Sequence, residues 1–233
     1  MTDSAPNFIE IKNLKKTYHA GDVDVHALRG VTLDIRKGEF LSIVGPSGSG
    51  KSTLFHVLGG LTPASSGTIH IGGKNLAQKT DKERTNLRKR TVGFVFQKYN
   101  LLPTLNVSDN IEIARDIAGS SGPLDQKFQE VLRLLGIEHR LLHKPRALSG
   151  GEQQRVAIAR SIVNSPEILL ADEPTGNLDT ENSTNVLGLL RDLNRRTGQT
   201  ILMITHNPEA AQYGHRIVHM RDGRIVENEI QVV

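Results

Sequence analysis

Cysteine and tryptophan are both absent from this 233-residue chain. The lack of cysteine excludes disulfides, thiolate chemistry and cysteine-ligated zinc, and agrees with a reducing compartment. Aromatic residues make up only 4%, too few for a platform that stacks single-stranded nucleic acid. No apolar run approaches the roughly 18–20 residues that a membrane-spanning helix needs. The opening MTDSAPNFIE lacks the basic, apolar and small-residue order of a secretory signal, so a cytoplasmic protein is expected.

What is present is the composition of an ordinary globular domain, 37% hydrophobic and 23% charged, with length enough for a sizeable core. The formal charge is +4, but lysine and arginine are scattered. The one dense run, KTDKERTNLRKR at residues 79–90, also holds Asp81 and Glu83 and reads as a solvated helix face. No nucleic-acid partner is expected.

Hydrophobic patterning divides the chain. FIEIKNL, VHALRGVTLDI, GEFLSIVG and SGTIHIGG have β-branched or alternating apolar positions between turn signals and predict strands. Leu54, Val57, Leu58 and Leu61 fall at i, i+3, i+4, i+7 and predict a helix ending at Gly59–Gly60 or Pro63. VGFVF predicts a buried strand. From about residue 103 to 163 the pattern is helical, with Phe128, Val131, Leu132 and Leu135 on one stripe. Pro145 marks a break before a helix that starts near Ser149. EILLADEP and TILMITH predict strands, with a helix through Val186, Leu189, Leu190 and Leu193 between them. RIVHM and RIVEN predict a hairpin about Asp222–Gly223. The sum is an α/β core interrupted by a helical insertion, residues 98–163.

Gly45, Pro46, Ser47, Gly48, Ser49, Gly50, Lys51 and Ser52 fit G-x-x-x-x-G-K-[ST] at every position. Strand FLSIV precedes them, and Thr53 continues into the predicted helix. The glycines let consecutive N–H groups turn toward phosphate oxygens, and the helix N-terminus adds positive potential. Lys51 is expected on the β- and γ-phosphates and Ser52 on Mg²⁺. A glycine turn with a chance lysine would not account for both flanking elements. ILLADE at residues 168–173 delivers two adjacent carboxylates at a strand end. Asp172 suits the metal, and Glu173, pointing to the other side of the chain, suits polarisation of the attacking water.

LSGGE at residues 148–152 opens the next element. Ser149 can N-cap the helix while Glu152 closes a capping box, leaving free N–H groups for a phosphate. Gly150 and Gly151 permit close backbone approach.

With these motifs in this order, the chain resembles the ATP-binding-cassette ATPases over nearly its whole length. The resemblance implies a P-loop NTPase (RecA-like) core with an N-terminal antiparallel β subdomain and an inserted α-helical subdomain. It implies one cassette domain over residues 1–233, with residues 1–97 and 164–233 as core and 98–163 as the signature-bearing subdomain. In that family two cassettes pair head to tail around two ATPs, the phosphate loop of one facing the signature of the other. Gln97 matches the glutamine that senses Mg²⁺ and connects to the transporter partner. Asp179 in GNLD matches the loop linking the two sites, and His206 the histidine that contacts the γ-phosphate and orients the water. Tyr18 lies where the family places an adenine-stacking aromatic, packing being the alternative. Glu152 stands where glutamine is common; as a cap it should preserve function.

KYNLLPTLNVSDNI, KPRALSGGEQQRVAIAR and ADEPTGNLD resemble the branch of macrolide-export and lipoprotein-release ATPases, with the cell-division cassette a near relative. That branch implies a transmembrane permease partner, a second copy of this chain, and a place on the inner face of the cell membrane. The permease groove is expected near Gln97 to Leu102, with Tyr99, Leu101 and Leu102 as apolar contacts or core. A GTPase is excluded by the lack of an N/T-K-x-D motif. Residues 53–147 are too short for the coiled coil of a DNA-repair cassette. Translation-associated cassettes usually come two to a chain. His139/His143 and His215/His219 have i, i+4 spacing, but without a third ligand neither pair predicts a metal site.

Overall fold

The computed structural model describes residues 7–76, 79–120 and 122–231. Among these, two sheets carry the fold, and the sequence treats them differently. The first is antiparallel: β1 (Ile9–Ala20), β2 (Val23–Ile35), β4 (Ser66–Ile71) and the short β5 (Lys74–Asn75), in the order β2-β1-β4-β5. Its strands alternate, Val31, Leu33 and Ile35 being buried and their neighbours exposed, as a one-faced sheet requires. β1 runs well beyond its predicted segment, and the two strands pair as far as Ala20 with Val23.

The second sheet is built on β3 (Phe40–Val44), with β6 (Val92–Phe96), β7 (Ile168–Asp172), β8 (Thr200–Ile204), β9 (Arg216–Arg221) and β10 (Arg224–Ile230). Its order is β10-β9-β3-β8-β7-β6, all parallel except the edge strand β10. β7 and β8 are apolar except at Asp172 and Thr200, because both faces are covered. Ile168, Leu170, Leu202 and Ile204 pack toward the antiparallel sheet and α1 (Lys51–Leu58). Leu169, Ala171, Ile201 and Met203 face the helical layer.

The remaining helices are α2 (Asp81–Thr91), α3 (Val107–Ala118), α4 (Gln126–Leu134), α5 (Gly150–Ile162), α6 (Thr180–Thr197) and α7 (Pro208–Ala211). α2 takes up the basic run with a Thr80–Glu83 capping box, and only Arg84 and Thr91 are buried on it. The predicted stripe of α4 buries Phe128 and Leu132, with Leu135 at the cap. That stripe joins α3, α5 and α6 in one continuous apolar cluster with β6–β8. Of the two expected stops for the first helix, the structure takes the earlier. α1 stops at Leu58 with Gly59 as its cap, so Leu61 lies outside the helix and is 46% exposed. The Gly-Gly pair outweighs the apolar periodicity.

The topology decides where chemistry can collect. β8 lies between β3 and β7, so the loops after these three parallel strands meet at one end of the sheet. They carry the phosphate loop, Glu173 and His206.

Candidate nucleotide site

A cavity of about 730 Å³ opens at that end of the sheet. Gly45, Ser47, Gly48, Ser49, Gly50, Lys51, Ser52 and Thr53 line it, together with Asp172, Glu173 and His206. Two glycines are dictated by close approach. A Cβ on Gly45 would overlap the Met220 carbonyl oxygen, and one on Gly50 would sit 2.5 Å from the Ala27 oxygen. The turn of the β9–β10 hairpin buttresses the loop: Gly223 N–H donates to Ser49 O at 3.0 Å, and Arg29 N–H to Gly223 O at 2.8 Å.

Lys51 is folded into this loop, donating to Gly45 O at 2.8 Å, Pro46 O at 2.9 Å and Ser49 Oγ at 3.4 Å. Burial lowers its pKa, against the opposing pull of Glu173 and Asp172. A buried ammonium held by two carbonyls and a hydroxyl gains from any anion placed in the loop.

Asp172 ends β7, and its pKa is raised, by burial first and then by Glu173, with His56 and Lys51 working against them. Glu173 follows with φ of 49°, a left-handed conformation that costs a non-glycine residue about 1–3 kcal/mol. Its N–H donates to Ile204 O at 3.0 Å. Strand alternation puts the two carboxylates on opposite sides, yet both line the same cavity, because the left-handed residue breaks the alternation. His206 Nδ1 lies 2.9 Å from Glu173 Oε1, which fixes the carboxylate at the cavity mouth.

The other expected site residues lie elsewhere. Tyr18 pairs with Val25 across the β1–β2 hairpin. Val25 lines the cavity, whereas Tyr18 is outside its lining and has the Lys16 ammonium 4.8 Å over its ring. Gln97 follows β6 and is bound to Asn177 in both directions, at 3.3 and 3.0 Å. Asp179 caps α6, accepting from Asn182 N–H at 2.8 Å. Ser149 caps α5 in a complete capping box with Glu152. None of Gln97, Asp179 or residues 149–152 lines the cavity of their own chain.

These residues form a second group. A Cβ on Gly151 would overlap Asn182 Oδ1, and one on Gly150 would lie 2.8 Å from Tyr99 Oη. α5 is also tied to the loop after β6: Arg160 donates to Asn100 O at 2.6 Å and Tyr99 O at 3.0 Å, and Gln154 to Phe96 O at 3.3 Å.

Sequence reasoning missed the cavity wall formed by Asp24, Val25, His26, Ala27 and Arg29 of β2. No motif marks that strand. Asp222 and Gly223 also line the cavity, although their sequence signal was only that of a turn. The i, i+4 histidines separate: His215 Nδ1 accepts from Phe40 N–H at 3.1 Å. His219 instead meets Glu227 and Glu229 across the β9–β10 ladder, where the spacing rule could not look.

The model of the family described as ABC transporter matches residues 28–176. An uncharacterized ABC transporter ATP-binding protein of Thermotoga maritima is 46% identical over 218 residues, 93% of each chain. The macrolide export ATP-binding/permease protein MacB of Chlorobium luteolum is 45% identical over 95% of this chain, which spans only 33% of that protein's length. A dimeric post-hydrolysis structure of the ATP-binding cassette MJ0796 with ADP and Pi superposes with a TM-score of 0.84 at 38% identity. That match covers 95% of this chain and 98% of MJ0796. The chain therefore belongs to the ABC transporter family, and it is an ATP-hydrolysing cassette. No helix among the described residues is long and apolar enough to cross a membrane.

Proposed function

We propose that this cassette binds Mg-ATP, pairs with a second copy of itself around two nucleotides, and drives a separate membrane permease of the macrolide-export or lipoprotein-release type. The observation that carries this reading is the division of the site. The phosphate loop, Asp172, Glu173 and His206 share one cavity, while the capped tip of α5 stands outside it with free N–H groups. The N–H groups of such a tip can receive a phosphate, and a facing copy can supply one. The dimeric MJ0796 structure and the MacB relatives support the pairing and the permease.

The residue roles follow from position. The N–H groups of residue 45 and residues 47–53 cradle the phosphates, and Lys51 exchanges its carbonyl partners for phosphate oxygens. Asp172, whose charge is penalised by burial and by Glu173, fits a divalent cation that would remove the penalty. Ser52, Asp172 and Gln97 would hold magnesium, and Gln97 must first let go of Asn177. Bound magnesium would supply neutralisation of charge on the phosphate oxygens. Glu173 accepts a proton from the attacking water while His206 holds its carboxylate and reaches the γ-phosphate. Ser149, Gly150 and Gly151 close on the partner's γ-phosphate, with Glu152 as the cap that holds the tip, and Asp179 bridges the two sites. Tyr18, beside Val25 on the hairpin, stacks on adenine. Hydrolysis removes the shared phosphate and the pair opens. The signature-bearing helices of residues 98–163 act as the permease-facing subdomain.

The test is Glu173→Gln. It should keep Mg-ATP affinity and lower steady-state hydrolysis by about 10²–10⁴-fold. Turnover near the parent's rate removes Glu173 from the general-base role.

A further inference from the structure

Glu152 is an odd residue for a helix tip that must receive a triphosphate. It lies in the first turn of α5, only 9% exposed, at the end where the helix field attracts anions. Burial works against its charge, but the hydrogen bonds from Ser149 and Arg140 outweigh it and hold the carboxyl below the usual range. The tip therefore carries a full negative charge at neutral pH, beside the place where the partner's γ-phosphate is to dock.

The structure supplies the compensation. Arg140, in the short 3₁₀ turn Glu138–Arg140, donates from Nε to Glu152 Oε1 at 2.7 Å. The other oxygen, Oε2, accepts Ser149 N–H at 2.8 Å. Each carboxylate oxygen thus has one task. Arg140 is itself fixed, its N–H bound to Ile137 O at 3.0 Å and its carbonyl to His143 N–H at 2.8 Å.

We propose that Arg140 is a positioning residue for the nucleotide sandwich: it neutralises and aims Glu152, so that the α5 tip keeps a net positive field toward the partner's phosphate. The inference rests on the head-to-tail pairing proposed above. A glutamine at residue 152 would accept the same Ser149 N–H without bringing a charge, and Arg140 would then have nothing to cancel.

The experiment measures ATP-driven self-association by analytical ultracentrifugation in a Glu173→Gln background, which keeps the nucleotide intact. Arg140→Gln should raise the ATP midpoint by about 5–10-fold at low salt, and the defect should shrink as ionic strength rises. Arg140→Lys, which keeps the charge and gives a second route if the glutamine variant folds poorly, should stay within about threefold. The double change Arg140→Gln/Glu152→Gln should return to within about twofold of the background, a rescue that a packing role for Arg140 would not give. An unshifted midpoint for Arg140→Gln, or a double variant no better than the single, overturns the inference and leaves the sandwich standing. Failure of the Glu173→Gln background itself to associate with ATP removes the sandwich first, and this inference with it.

Discussion

Asp172 and Glu173 are adjacent, yet the fold treats them differently. Burial and Glu173 raise the Asp172 pKa, so the folded chain holds that proton more tightly than the unfolded chain. The resulting stabilisation is present below the ordinary carboxylate value of 3.8 and is lost as pH climbs through the folded value. At neutral pH the ionised carboxylate is a cost in the nucleotide-free protein. Asp172→Asn should therefore melt higher than the parent near neutral pH without nucleotide, and the gain should narrow toward about pH 4. Mg-ATP should raise the parent's melting temperature and leave the variant's nearly unmoved. A variant that melts lower at neutral pH would contradict the assignment. At this scale the chemistry was legible wherever spacing and neighbouring elements agreed, as at residues 45–52 and at Asp172 and Glu173. Arg140 was not legible, because a turn 12 residues before Glu152 carries no mark of the contact.

At the scale of elements, the loop after β6 is held by a polar hub. Asn110, fully buried on α3, accepts Leu102 N–H at 2.7 Å and donates to the carbonyls of Leu102, Leu105 and Asn106. Asn110→Ala takes these partners from the Leu102 N–H and the Leu105 carbonyl and should cost about 2–3 kcal/mol in denaturant unfolding. With Leu102 pinned at its backbone and 40% exposed at its side chain, it is the most accessible apolar residue of the proposed permease groove. Leu101 packs on the helical cluster, and Tyr99 lies under the α5 tip. Leu102→Gln should weaken permease co-purification about tenfold while changing basal hydrolysis less than about threefold. The reverse pattern would place the groove elsewhere. Helices and strands were mostly readable from period and caps. The misses were Leu61, on the apolar stripe but past the Gly59 cap, and the stretch where a hairpin extended through exposed residues such as Tyr18 and Val23.

At the scale of the whole molecule, one chain holds two incomplete halves of a site. The cavity gathers Lys51, Asp172, Glu173 and His206, while the α5 tip, Gln97 and Asp179 stand outside it. The motifs showed both halves, and the family resemblance implied that they face each other across two copies; the parallel strand order that gathers one half into a cavity is a long-range property that no motif encodes. The absence of cysteine makes the pairing directly measurable. A single cysteine replacing exposed Glu181, in the first turn of α6, gives one spin label per copy. In a Glu173→Gln background, pulsed dipolar spectroscopy should give one sharp inter-copy distance with Mg-ATP and none with ADP. No inter-copy coupling at saturating Mg-ATP would contradict the nucleotide-bridged dimer.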